Sequence, residues 1–377
     1  MKGTILYLGN FELPDKGAAA NRVVSNGKIF KKLGYRTIFL GVKKGARFSG
    51  IQQTSFDENM YEEAYPAGSK EWLLHMISVK NIETLLKLYD DVRMVILYNV
   101  PYTLLLRVKQ KLQNTGIKVV YDCTEWTGVT DGSAIKKLVK RVDETFIRNK
   151  IDKTADGLLV ISKRMEAQYE SCQHLLRLPP LVDVHDKIWH QKRQKAEKFV
   201  FCFAGMLDGN KESLDCIVDA FGKLESDQAI LRIIGVAKEE FADFYPNGKE
   251  LLGAVGENVE FLGRKTHEET IREVLSCDCY IFIRQSDLRN NAGFPTKFSE
   301  AYSCNVPMIT TDISDIKSYL GNKKDSTVLS GTSVLDVKTA MENAMKNRHQ
   351  EARGLDQTFH YESYQEACES WMKGILG

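Results

Sequence analysis

Residues 284–307 read R-Q-S-D-L-R-N-N-A-G-F-P-T-K-F-S-E-A-Y-S-C-N-V-P and directly follow the apolar run Cys279-Tyr280-Ile281-Phe282-Ile283. The apolar run has the composition of a buried strand. A glycine turn follows at Gly293, and Pro295 suits the first turn of a helix because its missing N–H would have no partner there. The stretch therefore predicts a strand, a turn and a helix, which is the repeating unit of an α/β fold.

The helix predicted after Pro295 has a polar face formed by Thr296, Lys297 and Glu300. Backbone N–H groups at a helix start, together with a lysine, suit a phosphate, and a carboxylate one turn deeper suits sugar hydroxyls. These residue types predict a nucleotide-sugar or a similar phosphate ligand. The alternative is that Gly-x-Pro is a common sequence before a helix without a binding role, and that Lys297 and Glu300 form a solvated pair.

Length and composition limit the class of protein. The chain has 377 residues, too many for one ordinary hydrophobic core, so two domains are expected. With 43% apolar and 27% charged residues, it has the composition of a soluble globular protein. The formal net charge of +2 offers no global field that would attract nucleic acid, so no nucleic-acid partner is expected.

The cysteines and the start of the chain indicate a cytoplasmic protein. None of the eight cysteines forms a C-x-x-C pair and several lie in apolar runs, which favours reduced, buried thiols. The spacing Cys277-x-Cys279 fits none of the usual zinc patterns, so no metal site is expected. The first residues read as a short strand rather than a leader, and no window of about 18 apolar residues could span a membrane.

The first half opens with a strand–loop–helix–strand pattern. A strand at 4–8 precedes a polar loop with Gly17, a helix at 18–33 and a strand at 36–42, which is the βαβ signature. The loop lacks the pattern G-x-G-x-x-G, so a standard NAD site is disfavoured. Because the loop follows the carboxyl end of a strand, we predict Gly17 near a ligand, the alternative being a close helix–sheet contact.

A strand predicted at 117–121 runs directly into Asp122-Cys123-Thr124-Glu125-Trp126. Two carboxylates at the carboxyl end of a parallel strand indicate a polar group aimed into a cleft. The alternative is an acid that caps a turn and a tryptophan that packs.

A basic helix is predicted over 133–155, with Leu138, Val142, Phe146 and Ile151 on its apolar side. Such a charge set is typical of a solvated face. The alternative is peripheral contact with anionic lipid headgroups at the inner membrane face, or with the phosphates of an acceptor. The basic residues are Lys136, Lys137, Lys140, Arg141, Arg148, Lys150 and Lys153.

The sequence changes character near its middle. Leu178-Pro179-Pro180 interrupts the pattern, and the charged stretch 187–198 is predicted to be a domain linker. The second half then repeats the alternation of strands and helices, so each half predicts a doubly wound α/β domain. The predicted divisions are residues 1–185, residues 186–358 and a final helical segment, 359–377.

Three segments carry more specific predictions of secondary structure. The periodicity predicts one continuous helix at 71–89 and another at 239–252. The polar segment 43–68 predicts a loop with at most one short strand.

Two α/β domains with a glycine-containing first loop and a late phosphate–ribose motif resemble a GT-B glycosyltransferase, in which two Rossmann-like domains face each other across a cleft. Over nearly its whole length the chain most resembles the retaining glycosyltransferase family 4. The motifs that carry the resemblance are G-A-A-A-N-R-V at 17–23, Y-D-C-T-E-W at 121–126, L-V-I-S at 159–162, F-A-G-M-L-D-G-N-K at 203–211, F-L-G-R at 261–264 and R-N-N-A-G-F-P-T-K-F-S-E at 289–300.

The resemblance makes the C-terminal domain the nucleotide-sugar side. Glu300 matches the second glutamate of the family's E-x7-E motif, which binds the ribose hydroxyls. The backbone around Phe294, Thr296 and Lys297 matches the turn that holds the diphosphate. Lys211 matches the lysine that neutralises the leaving diphosphate.

Arginines are expected near the base and near the diphosphate. The turn that ends at Arg264 would approach the nucleotide base through its backbone. The family often has an arginine where this chain has Met206 and Leu207, and Arg284 or Arg289 is a candidate replacement.

The chain departs from the family motif at Ala292, which occupies the first position of E-x7-E, where most relatives have a glutamate that contacts the donor sugar. Gly293 follows it in the same donor-binding turn. Asp287, Asn290 and Asn291 are candidates for the missing contact, and the substitution leaves open that activity has been lost.

The resemblance makes the N-terminal domain the acceptor side, with the helix at 359–377 packing back toward it. Glu125 falls where many relatives have a histidine near the reacting carbon, and Asp122 is its alternate. Glu125 could orient or deprotonate the acceptor. Lys211 and Lys297, with an arginine and the helix start, could stabilise the leaving group without a metal, and no Asp-x-Asp string is present.

The implied reaction transfers a sugar from a nucleoside diphosphate to the hydroxyl of a carbohydrate or lipid-linked acceptor, with retention and without a cofactor, in bacterial-type polysaccharide or glycolipid synthesis. One alternative is a catalytically silent GT-B partner of an active glycosyltransferase. Another is a sugar-nucleotide epimerase, which would convert the donor without an acceptor.

Overall fold

A computed structural model describes residues 1–126, 134–194, 196–207, 212–224, 226–321, 323–348 and 353–377. The chain divides into two compact units. The first unit consists of Met1–Leu181, Ala292–Phe294 and Tyr361–Gly377, and the second of Val182–Asn291 and Pro295–His360. None of the described helices is long and apolar enough to cross a membrane.

The strands are β1 (Thr4–Gly9), β2 (Arg36–Lys43), β3 (Ile51–Gln53), β4 (Met60–Ala64), β5 (Val92–Tyr98), β6 (Lys118–Cys123), β7 (Gly157–Val160), β8 (Leu175–Arg177), β9 (Phe199–Ala204), β10 (Ala229–Ile234), β11 (Val259–Gly263), β12 (Cys279–Phe282), β13 (Met308–Thr311) and β14 (Thr327–Leu329). The helices are α1 (Ala18–Lys32), α2 (Ser69–His75), α3 (Lys80–Leu88), α4 (Tyr102–Leu112), α5 (Ala134–Thr154), α6 (Lys163–Gln168), α7 (Leu214–Gly222), α8 (Lys238–Phe244), α9 (Gly248–Ala254), α10 (His267–Ser276), α11 (Leu288–Ala292), α12 (Thr296–Ser303), α13 (Ile316–Leu320), α14 (Val334–Lys346) and α15 (Gln365–Leu376). Short 3-10 helices lie at Lys187–Trp189, Gly256–Asn258 and Tyr361–Tyr364.

The first unit is built on an eight-stranded sheet in the order β3-β4-β2-β1-β5-β6-β7-β8. Its strand pairs are parallel except β3 with β4, which is antiparallel. The central strands are buried almost throughout because helices cover a parallel sheet on both faces. The winding direction reverses between β1 and β5, which places a ligand-type crevice outside the carboxyl ends of these strands.

The C-terminal helix α15 belongs to the core of the first unit. Cys368, Trp371 and Met372 pack in the same buried cluster as Phe30 of α1 and strands of the sheet. The indole N–H of Trp371 donates to the carbonyl of His174 at 2.9 Å. Burial of this apolar face stabilises the helix, since a helix this short is marginal in isolation.

A buried ion pair ties α1 to the end of β6 in the first unit. The Arg22 guanidinium donates to Asp122 Oδ1 at 2.7 Å and to the carbonyl of Leu178 at 2.7 Å, and both charged side chains are buried. The Tyr7 hydroxyl also donates to Asp122, and Asn26 donates to that hydroxyl at 3.0 Å. Burial, reinforced by the negative charge of Asp122, raises the pKa of Tyr7 well above its ordinary value, so this phenol remains a donor.

The second unit has a six-stranded sheet in the order β11-β10-β9-β12-β13-β14, with every strand pair parallel. The chain winds outward in one direction from β9 and then in the other from β12. The switch point therefore lies between β9 and β12, where doubly wound sheets bind ligands. The predicted fold class, with two doubly wound α/β domains, is confirmed.

Three predictions of secondary structure were wrong in detail. The helix predicted at 71–89 is two helices, since α2 ends at His75 and α3 begins at Lys80. The N–H of Lys80 donates to Ser78 Oγ at 3.4 Å at the start of α3. The helix predicted at 239–252 is also two, since Pro246 lies between them and lacks the N–H that a continuous helix needs. The segment 43–68 contains two strands, β3 and β4, rather than at most one.

The buried pair between Arg22 and Asp122 gives a stability prediction. Asp122→Asn leaves the guanidinium uncompensated, so we expect the first unit to lose about 3–5 kcal/mol. The thermal unfolding midpoint, followed by circular dichroism and by intrinsic tryptophan fluorescence, measures the loss.

A matched control is Glu83→Gln, which removes an exposed ion pair with Lys111 from the same unit. It should leave the midpoint nearly unchanged because solvent screens such pairs. Equal effects of Asp122→Asn and Glu83→Gln would contradict the structural role given to Asp122.

Candidate functional site

The switch point of the second unit carries an arginine. Arg284 follows β12, and its guanidinium Nε donates to Glu212 Oε1 at 2.9 Å. Glu212 precedes α7, on the connection that leaves β9. Thr311 holds the backbone of Arg284 from both sides, by accepting from its N–H at 3.0 Å and donating to its carbonyl at 2.7 Å. Arg284 is therefore a positioned cation, already paired with a carboxylate.

The start of α12 brings Lys297, Glu300 and His267 together. Glu300 Oε1 lies 3.1 Å from His267 Nε2, and Lys297 Nζ lies 3.5 Å from Glu300 Oε2. The Glu300 side chain is only 6% exposed, whereas Lys297 and His267 remain partly in solvent. The alternative of a solvated Lys297–Glu300 pair is therefore wrong, because the carboxylate is inside the unit.

The charge of Glu300 is stabilised by its neighbours. Burial by itself would raise the pKa of this carboxyl group, but the positive charge of Lys297 and the hydrogen bond from His267 outweigh it. Together they lower the pKa to about 2. Glu300 is consequently an ionised acceptor at neutral pH, and donors such as hydroxyl groups are what it can bind.

The amino end of α12 has no side-chain cap. Pro295 occupies the N-cap position, and no side chain caps the helix start. The first N–H groups of a helix have no intrahelical partner, and the helix dipole favours negative charge beside them. Thr296 and Lys297 occupy the first turn, so the structure places N–H donors and an ammonium group at one helix start.

Glycine backbone forms the adjacent rim of the sheet. Gly235 has a φ of +95°, and a Cβ on it would lie 2.1 Å from the carbonyl oxygen of Gly205. Its N–H donates to the carbonyl of Gly263 at 2.7 Å. Arg264, next in the chain, is exposed at the carboxyl end of β11. Only glycine fits at 235, because the backbone of Gly205 packs directly against it.

In the first unit, Gly17 is exposed and precedes α1 without a side-chain cap. No heavy atom lies within 4 Å of a Cβ placed there, so the alternative of a close helix–sheet contact is wrong for this residue. Its φ of +87° accounts for glycine instead.

Glu125 and Asp122 have different surroundings. Asp122 is fully buried and paired with Arg22, so the prediction that it could replace Glu125 beside the acceptor is wrong. Glu125 is half-buried and follows Thr124, whose N–H donates to Asn99 Oδ1 at 3.0 Å. Glu125 is thus held at the carboxyl end of β6 and retains access to solvent.

Trp126 packs in the interior, which agrees with the alternative given above for residues 122–126. It is buried, its indole N–H donates to the Tyr169 hydroxyl at 3.3 Å, and the Arg148 guanidinium lies 4.8 Å from its ring.

Other predicted residues have no described contact with the cluster around Glu300. Lys211 lies outside the described residues. Gly293 and Phe294 group with the first unit, as does Ala292, which is fully buried and whose carbonyl accepts from Ser162 Oγ at 2.6 Å.

The asparagines near Ala292 have local partners. Asn291 Oδ1 accepts from the N–H of Ser314 at 3.0 Å, and its Nδ2 donates to the carbonyl of Asp287 at 2.8 Å. Asn290 is buried and donates to the carbonyl of Gln285 at 2.9 Å. Both side chains hold the loop that leads into α12.

Sequence reasoning missed His267. It begins α10 behind a capping box formed by Thr266 and Glu269, and this box is the only local signal at that position. Its contact with Glu300 joins residues 33 positions apart and depends on the fold. Among the described residues, no group of three or more His, Cys, Asp or Glu could hold a metal ion.

Comparison with known proteins points to one class. Residues 185–358 match the family described as "Glycosyl transferases group 1". No curated protein sequence matches the chain.

Solved structures match over nearly the whole length. A sucrose-phosphate synthase from Thermosynechococcus elongatus superposes with a TM-score of 0.70 at 13% identity, covering 99% of both chains. Anabaena Alr3699/HepE, in complex with UDP and glucose, gives a TM-score of 0.65 at 13% identity, covering 98% of this chain and 99% of that one. WaaG, a glycosyltransferase involved in lipopolysaccharide biosynthesis, gives a TM-score of 0.63 at 13% identity, covering 99% of this chain and 94% of that one. The predicted resemblance to GT-B glycosyltransferases is confirmed.

The lowered pKa of Glu300 predicts a pH dependence. A carboxyl group with a folded-state pKa of about 2, below its ordinary value of 4.5, adds stability above pH 4.5 and loses it as the pH falls toward 2. The shift corresponds to about 3 kcal/mol. The stability difference between the native chain and Glu300→Gln should therefore shrink as the pH falls from about 6 to about 3.

Urea unfolding of both proteins across this range measures the difference. Glu268→Gln, at an exposed neighbour of His267, is the control and should show no such trend. A difference that stays constant with pH would show that Glu300 is not ionised by its neighbours.

Proposed function

We propose that the protein is a glycosyltransferase that moves a sugar from a nucleoside-diphosphate sugar to a hydroxyl acceptor. The observation that carries the proposal is the buried, ionised Glu300 one turn inside the uncapped start of α12, in the unit that matches the glycosyltransferase family. A buried carboxylate that accepts hydrogen bonds and a helix start that attracts anions match the ribose and the diphosphate of one ligand.

Each part of the donor has a partner in the proposal. Glu300 accepts hydrogen bonds from the ribose hydroxyls, with His267 and Lys297 fixing its carboxylate. The N–H groups at the start of α12 bind the diphosphate. The turn that ends at Arg264 is proposed to approach the base through its backbone.

Departure of the diphosphate builds negative charge on its oxygens. Lys297 and the dipole of α12 are proposed to stabilise this charge, and Lys211 is given the same role from the family resemblance. These cations support a metal-independent transfer. Stereochemical retention is proposed from the family resemblance, without a covalent intermediate, since no nucleophile is identified. Glu125 is proposed to orient or deprotonate the acceptor hydroxyl.

A UDP-sugar is the first donor to test, because HepE is solved with UDP and glucose. Polysaccharide or glycolipid synthesis is the proposed pathway class. The likeness to WaaG supports it, since WaaG is a glycosyltransferase involved in lipopolysaccharide biosynthesis.

Ala292 favours a second candidate function, a GT-B protein that binds a nucleotide without turnover and supports an active partner. Its buried methyl group can supply no hydrogen bond to a donor sugar. Incubation with a panel of UDP- and GDP-sugars, followed by detection of released nucleoside diphosphate, separates the two. Release from any donor supports the transferase, and binding without release from every donor supports the silent partner.

Removal of the Glu300 carboxylate, which accepts hydrogen bonds from the ribose, should weaken binding of the nucleotide. Glu300→Ala is expected to weaken UDP by at least about 100-fold in isothermal titration calorimetry, because two hydrogen bonds to a charged group are lost. Glu268→Ala is the matched control and should bind UDP like the native chain. Unchanged affinity in a folded Glu300→Ala protein, with folding checked by circular dichroism, would remove Glu300 from the site.

A further inference from the structure

Arg284 and Glu212 form a pair in which one carboxylate oxygen accepts every bond. The Nε and Nη2 groups of Arg284 both donate to Glu212 Oε1. Glu212 Oε2 is buried and has no hydrogen-bond partner among the described residues. The strongest arginine–carboxylate pairs are bidentate, with one N–H bond to each oxygen. The geometry of this pair therefore falls short of the best one that these two side chains can form.

The Arg284 guanidinium keeps donors for another group. Its third nitrogen, Nη1, has no hydrogen-bond partner within the part of the chain that the structure describes. The side chain is 16% exposed, so solvent and dissolved ligands can reach it. An anion that binds there shares one positive charge with the Glu212 carboxylate.

The backbones of both residues are fixed. The Tyr245 hydroxyl donates to the carbonyl of Glu212 at 3.0 Å. Thr311 accepts from the N–H of Arg284 at 3.0 Å and donates to its carbonyl at 2.7 Å. Only the two side chains therefore need to move when the pair opens.

The pair lies in the same part of the second unit as Glu300. Burial raises the pKa of Tyr280 well above its ordinary value, and the negative charges of Glu212 and Glu300 raise it further. The Tyr280 hydroxyl donates to the carbonyl of Ala204 at 3.1 Å, at the end of β9. Both carboxylates thus lie within electrostatic range of one hydroxyl group at the switch point of the sheet.

We propose that Glu212 competes with the diphosphate of the nucleotide for Arg284, and that it thereby weakens the binding of the donor and of the product nucleotide. This competition rests on the proposed function, which supplies the diphosphate. Two anions that share one cation are each held less tightly than either would be alone, since they also repel each other. Weaker binding of the product favours turnover, because product release limits the rate of many enzymes.

The opposite role for Glu212 would be to hold the guanidinium in the position that the ligand needs. Removal of the carboxylate would then weaken nucleotide binding, whereas competition predicts tighter binding. The direction of the change separates the two roles, and a gain in affinity cannot result from misfolding.

Isothermal titration calorimetry with UDP and with uridine tests the competition. Glu212→Gln should bind UDP about 10-fold more tightly than the native chain, because Arg284 no longer faces a charged partner. Arg284→Gln should bind UDP about 10-fold more weakly. Uridine has no diphosphate, so both variants should bind it like the native chain. GDP and guanosine replace UDP and uridine if the native chain binds only the guanine nucleotide.

Glu260→Gln is the matched control. Glu260 pairs with Arg232 at 2.9 Å, between neighbouring strands of the same sheet. Its loss removes the same charge from the same kind of pair and should leave UDP affinity unchanged. Glu212→Ala is a second variant that leaves no acceptor beside Arg284, and it should change UDP affinity in the same direction as Glu212→Gln. Circular dichroism checks the folding of each variant.

The competition is overturned if folded Glu212→Gln and Glu212→Ala bind UDP no more tightly than the native chain, and the proposed function then still stands. A gain that uridine or Glu260→Gln shares would also overturn it, because the effect would not depend on the diphosphate at Arg284. Unchanged UDP affinity in Arg284→Gln would remove the arginine from the site. A native chain that binds neither UDP nor GDP would contradict the proposed function itself, and the competition with it.

Discussion

A buried carboxylate stays ionised only where cations and hydrogen-bond donors replace the water it has lost. Two buried carboxylates among the described residues, one in each unit, have different partners. Asp122 is enclosed by Arg22 and Tyr7, so its oxygens are committed to holding α1 on the sheet. Glu300 is held by Lys297 and His267, whose side chains reach solvent, and it keeps capacity for further donors. That difference distinguishes a structural acid from a binding one.

Parallel strands supply the second constraint. Their carboxyl ends gather at one edge of each sheet, and the reversal of winding at β9 and β12 opens that edge in the second unit. Glu212 and Arg284 meet there, from segments 72 positions apart. Glycine at 235 allows the backbone of Gly205 to pack directly against it at the neighbouring strand ends. The site is therefore a product of topology as much as of motif.

The alternation of strands and helices was predictable because apolar runs and turn residues are local signals. The polar face of α12 was predictable for the same reason. The burial of Glu300 was not, since a helical wheel cannot show that α10 covers that face with His267. The Arg22–Asp122 pair spans 100 positions and leaves no local trace. The interruption near Pro246 was a local signal that the helical periodicity outweighed.

The central claim is that Glu300 recognises ribose hydroxyls. Calorimetric titration of the native protein with UDP and with 2′,3′-dideoxy-UDP tests it most directly, because the ligands differ only in the two hydroxyl groups and no residue is changed. The dideoxy compound should bind about 100-fold more weakly, since both hydrogen bonds to the carboxylate are lost. Equal affinities for the two ligands would contradict the account.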